Sequence, residues 1–138
     1  MRGCGRGCDF CDVNKRSKKD LPVDRLQREA KMNLDYGFDS VWLHSDEMLL
    51  YGCDNRDFQP NYDAIMDLWK GLKGLGANFI GTTHMTFSAI AADPKLLYDM
   101  SEVNEMHGDG RWLSTNLGIE TVAPVSYTHL TLPTKRIV

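Results

Sequence analysis

Apolar positions recur along the chain with two alternating periods. In DLPVDRLQREAKMNLDYG, Val23, Leu26, Ala30 and Leu34 fall at helical spacing, with Asp20 expected as cap, Pro22 in the first turn and Gly37 as the stop. DSVWLHSDE follows with a short continuous apolar run, Val41 to Leu43, which suits a strand covered on both faces. The cycle then repeats. NYDAIMDLWKGLKGLG puts Ile65, Leu68, Trp69 and Leu72 on one helical face and ends in Gly74 and Gly76, before the apolar strand candidate ANFIGTTHM. ADPKLLYDMSEVN opens with Asp93 and Pro94 as cap and first-turn residue, carries Leu96, Leu97, Met100 and Val103 on one face, and leads to RWLSTNLGIET.

Strands starting near 40, 78 and 113, separated by helices, predict an α/β fold with a parallel sheet and outer helices. Right-handed crossovers leave a doubly wound open sheet or part of a (β/α) barrel. The large apolar residues Trp42, Trp69, Trp112, Met66 and Met100 fall where elements must bury surface, so all five are expected in the core.

Composition narrows the classes. The chain has 138 residues, a net charge of -3 and 42% hydrophobic residues, an ordinary globular balance. No run approaches the roughly 18 apolar residues of a membrane span, and the start lacks the apolar core of a secretory signal, so the cytoplasm is the default. Mild acidity gives no electrostatic reason to expect nucleic acid. The one basic run, NKRSKK at 14 to 19, reads as a solvated loop, with a landing site for an acidic electron donor or an anionic substrate group as the competing reading.

The chemistry is concentrated near the start, where CGRGCDFC places Cys4, Cys8 and Cys11 as C-x3-C-x2-C. Thiols this close close no useful disulfide loop, and metal ligation is the better reading. Structural zinc takes four ligands, commonly as two short-spaced pairs, and no second pair is present. Electron-carrying iron–sulfur clusters also use four cysteines. Three leave one metal position open for a substrate or cosubstrate. Cys53, alone in a turn-rich stretch, is at most a fourth-ligand candidate. The alternative is therefore a non-catalytic metal-binding or electron-transfer module, its iron–sulfur or zinc site closed by Cys53 or His44.

C-x3-C-x2-C with Phe10 directly before the last cysteine resembles the signature of the radical S-adenosylmethionine (radical SAM) enzymes. The resemblance implies a 4Fe-4S cluster on Cys4, Cys8 and Cys11, S-adenosylmethionine chelating the open iron, and reductive cleavage to methionine and a 5′-deoxyadenosyl radical. It further implies a (β/α) TIM-type barrel, Phe10 near the adenine or shielding the cluster from solvent, and a low-potential donor such as ferredoxin or flavodoxin. Gly3, Gly5 and Gly7 suit the tight backbone of such a loop. Asp46 and Glu47 resemble the family's strand-end motif, commonly Gly-Gly-Glu, that binds the cofactor's amino group; here the glycines are absent. NLGIET resembles a segment of members that carry a cobalamin-binding domain, and makes Glu120 a candidate cofactor contact. His44 and His84 share the strand-end position and are assigned no role.

The domain is expected to span residues 1–124 and to be cut at both ends: few residues precede Cys4, and a barrel needs about eight strands. VSYTHLTLPTKRIV, residues 125–138, alternates like a strand, yet VSYTHLTLPT, back-translated, is compatible with the read-through of a transposon-based sequencing adapter. It is expected to be non-native and is excluded from the fold.

Overall fold

A computed structural model describes residues 1–4, 11–12, 16–53, 59–104 and 113–117. The elements run α1 (Val23–Asp35), β1 (Ser40–Leu43), a short 3-10 helix (Met48–Leu50), α2 (Tyr62–Gly74), β2 (Phe79–Thr82), β3 (His84–Met85), α3 (Phe87–Ala92), α4 (Pro94–Val103) and β4 (Asn116–Leu117). Helices alternate with short parallel strands, so the fold is α/β. The expected tail, residues 125–138, lies outside the described residues, as does Trp112.

The helices form where the apolar periodicity places them. α2 is the centre of the core: Ile65, Leu68, Trp69 and Leu72 are each at most 1% exposed, and the helix packs against α1, α4 and β2. Asn61 caps it by accepting the Ala64 N–H at 3.1 Å. Asp93 caps α4 in the same way through Leu96, with Pro94 at its first position. α1 contributes Ala30 to the core and stops at Gly37, whose φ of +98° lets its N–H reach the Leu34 carbonyl at 2.9 Å. Asp20 does not cap α1. The residue at that boundary is Pro22, with no side-chain cap, and Asp20 instead accepts hydrogen bonds from Lys18 Nζ at 2.7 Å and the Gly52 N–H at 3.0 Å. Proline favours an extended residue before it, which carries Asp20 beyond the first-turn amides.

β1 and β2 pair in parallel, with Val41 beside Ile80 and Trp42 beside Gly81. Val41 and Ile80 face the helices and are buried. Trp42, Phe79 and Gly81 share the other face by the alternation of strand side chains. There the Trp42 and Phe79 rings lie 6.0 Å apart, and Trp42 is 57% exposed. The expectation of a core Trp42 in a strand covered on both faces therefore fails. The run is apolar on both sides, but among the described residues helices bury the Val41 side and leave Trp42 largely exposed.

The chain changes partner at Thr83. Its N–H bonds the Leu43 carbonyl at 3.2 Å, while its own carbonyl accepts the Asn116 N–H at 3.0 Å. In a regular strand both groups of a residue point the same way. The twist at Thr83 separates β2, paired with β1, from β3, paired in parallel with β4. Among the described residues, no helix is long and apolar enough to cross a membrane.

Candidate metal and cofactor site

Two legs of backbone close the base of the cysteine loop. The Arg2 N–H donates to the Lys19 carbonyl at 2.9 Å, and the Lys19 N–H returns to the Arg2 carbonyl at 2.7 Å, a single antiparallel bridge. Gly3 follows with φ +68°. A Cβ there would fall 2.6 Å from the Arg16 carbonyl oxygen and 2.8 Å from that of Ser17, so only glycine fits between the legs. Lys18 holds the returning leg by donating to Asp20 and to the Cys53 carbonyl, each at 2.7 Å. Three residues of the basic run, Arg16, Lys18 and Lys19, thus lie at the loop base, and Lys18 is tied into the structure.

Cys4 and Cys11 are free and partly exposed. Cys8 and Phe10 lie outside the described residues, as does Glu120. With Cys8 outside that set, no three metal-ligating side chains come together among the described residues. The donor chemistry still fits an iron–sulfur group: partly exposed thiols at Cys4 and Cys11, with soft sulfur as the ligand atom. Cys53 is buried at 6% exposure.

The second part of the site is the segment leaving β1. Ser45 is held from both sides by Thr83: its N–H donates to Thr83 Oγ1 at 2.9 Å, and its carbonyl accepts the Thr83 hydroxyl at 2.7 Å. His84 Nδ1 lies 3.2 Å from the same carbonyl, which can accept a hydrogen bond from it. Neither Ser45 nor Thr83 was legible as a site residue, because a hydroxyl after a strand carries no distinctive pattern.

Next in the chain, Asp46 and Glu47 part company. The Asp46 carboxylate turns to the cysteine loop, where Oδ2 accepts the Gly3 N–H at 2.6 Å across 43 positions of sequence. Glu47 turns inward and is 0% exposed; its Oε1 accepts the Leu49 N–H at 3.2 Å and caps the 3-10 helix. The two candidate acids are thus adjacent in sequence and opposite in environment. Burial holds the Met1 amine below the ordinary range of a terminal amine, against the opposing pull of Asp20 and then Asp46.

A groove of about 880 Å³ runs beside β1 and α1. Leu26 and Ala30 of α1 form one wall and Trp42 of β1 another, while His44, Asp46 and Arg16 line it where β1 meets the loop base. The cysteine loop therefore starts at the carboxyl end of a parallel strand, beside a cavity, which is where α/β folds gather their chemistry. No family model, curated protein or solved structure matches the chain.

Proposed function

We propose that this chain carries the cofactor-binding loop of a radical SAM enzyme with a (β/α)-barrel core. Cys4, Cys8 and Cys11 would hold a 4Fe-4S cluster, with one iron left open to S-adenosylmethionine. The observation that carries the reading is the C-x3-C-x2-C spacing with Phe10 before its last cysteine. The hydrogen bond from Gly3 to Asp46 supports it, because it fastens the loop to a strand's carboxyl end. The parallel alternation of helix and strand, with the Val41 side buried under helices among the described residues, supports the barrel part of the reading.

The chemistry supplied there, once cluster and cosubstrate are bound, is one-electron reductive cleavage of a sulfonium. The chain's own part is to hold and to shield. Gly3 gives the backbone its close approach, the Arg2–Lys19 bridge closes the loop, and the helices bury one side of the sheet. A cosubstrate bound at a ligand position next to its electron source needs no diffusional encounter, a gain of the proximity type.

Anaerobic reconstitution of the whole chain with iron and sulfide tests the reading. The expected result is a 4Fe-4S spectrum that shifts on adding S-adenosylmethionine, with 5′-deoxyadenosine formed after reduction. A spectrum indifferent to S-adenosylmethionine, or tightly bound zinc in place of iron, would overturn it in favour of a fully ligated module.

A further inference from the structure

Resting on that reading, we propose that Asp46 is a positioning residue for the cysteine loop, fixing Gly3 and through it Cys4, instead of binding the cosubstrate's amino group. The carboxylate is committed: Oδ2 takes the Gly3 N–H at 2.6 Å. A charged acceptor makes this a strong class of hydrogen bond. Both ends of the bond are held. On one side, Gly3 is wedged at φ +68° against the carbonyls of Arg16 and Ser17, directly after the residue bridged to Lys19. On the other, Asp46 lies between Ser45, fastened twice to Thr83, and Glu47, whose N–H donates to Ser45 Oγ at 3.3 Å and whose side chain caps the 3-10 helix.

The Gly3 N–H lies in the Arg2–Gly3 peptide, whose carbonyl accepts the Lys19 N–H, so Asp46 and Lys19 fix that plane from both sides. Cys4 leaves one residue further on, in a direction set by that plane and by the wedged dihedrals of Gly3. A glycine at positive φ has a wide conformational range when free. Removing the acceptor returns that range to the residue before the ligand, and the first sulfur loses its place relative to the strand end. Asparagine at 46 keeps an oxygen acceptor without the charge, whereas alanine removes it.

The test compares Asp46→Asn and Asp46→Ala with the unaltered full chain. Three quantities are read: Gly3 amide exchange and Cys4 alkylation in the metal-free chain, and iron content with the S-adenosylmethionine-induced spectral shift after reconstitution. For Asp46→Ala, Gly3 exchange is expected to quicken by about tenfold or more, with Cys4 alkylated faster relative to Cys11 and less iron retained. Asp46→Asn is expected to stay near the unaltered chain in all of them, spectral shift included. Wild-type exchange and iron content in Asp46→Ala would overturn the inference. So would an Asp46→Asn chain that holds its iron and its Gly3 protection but loses the spectral shift, because that assigns Asp46 to the cosubstrate. If the unaltered chain bound no cluster while Gly3 exchange still followed residue 46, the enzyme reading would fall and the hold of Asp46 on the loop would stand.

Discussion

The Asn104 side-chain amide closes both backbone hydrogen bonds of Ile80: Oδ1 accepts the Ile80 N–H at 3.1 Å, and Nδ2 donates to the Ile80 carbonyl at 2.6 Å. Both residues are fully buried. Ile80 lies in β2 beside Val41, and Asn104 serves its peptide as a neighbouring strand would. Two residues further on a chain segment takes over, where the Thr82 N–H reaches the Ser114 carbonyl at 3.1 Å.

Replacing Asn104 by leucine keeps the bulk and strands two buried backbone groups. Each orphan costs about 1–3 kcal/mol, so Asn104→Leu is expected to lose about 2–6 kcal/mol. The urea midpoint measures it, and an unchanged midpoint would show that Ile80 finds other partners.

Trp42 and Trp69 make the open face of the sheet visible in solution. One is 57% exposed on β1 and the other 0% exposed in α2. In a chain already carrying Trp112→Phe, the Trp42→Phe substitution is expected to remove most of the acrylamide-quenchable emission and shift the remainder to the blue. Trp69→Phe is expected to do the reverse. Equal quenching of both indoles would mean that the Trp42 face is covered.

Helices α1, α2 and α4 were legible in the sequence because each announces one buried face and at least one terminal signal. Asp93–Pro94 and Gly37 behave as such signals do, whereas Asp20 shows how a nearby proline can redirect a would-be cap. Strand positions were legible as apolar runs, but three residues such as Val41–Trp42–Leu43 do not say which side is covered, so Trp42 was misread as core. α3 escaped because Phe87–Ala92 is short and buries Ala89 alone. At the site, the cysteine spacing was readable, but the link from Asp46 to Gly3 spans 43 positions and depends on the fold, so no local pattern could report it.

Acid stability is expected to depend on Asp99. Its carboxylate meets Lys95 and the Tyr62 hydroxyl, and hydrogen bonds from Lys95 and then Tyr62 hold it below the ordinary carboxylate value of 3.8. A lowered folded-state pKa means that the unfolded chain takes the proton first. The contribution is therefore present above pH about 4 and is lost as pH falls through the folded-state value. Asp99→Asn is expected to flatten the fall of stability below pH about 4, most clearly at low salt because the lysine is exposed. Tyr62 and Lys95 are raised, each chiefly by its hydrogen bond to Asp99, so their contribution is complete below the ordinary values of 10.0 and 10.5 and is lost as pH climbs beyond them. Urea midpoints from pH 2.5 to 11 would show both limbs, and an Asp99→Asn profile parallel to the unaltered chain would remove Asp99 from the account.

Glu47 separates a structural acid from a functional one. It is wholly buried, and its Oε1 accepts the N–H of Leu49 at the head of a turn whose residues Met48, Leu49 and Leu50 are all buried. Glutamine keeps that oxygen in place. Alanine deletes the cap and leaves a buried N–H unsatisfied, which costs about 1–3 kcal/mol. Glu47→Ala is therefore expected to lower the urea midpoint measurably, while Glu47→Gln loses well under half as much. If Glu47→Gln instead abolished the S-adenosylmethionine-induced spectral shift at unaltered stability and iron content, the carboxylate charge would be serving the cosubstrate. The strand-end acid of this site would then be Glu47.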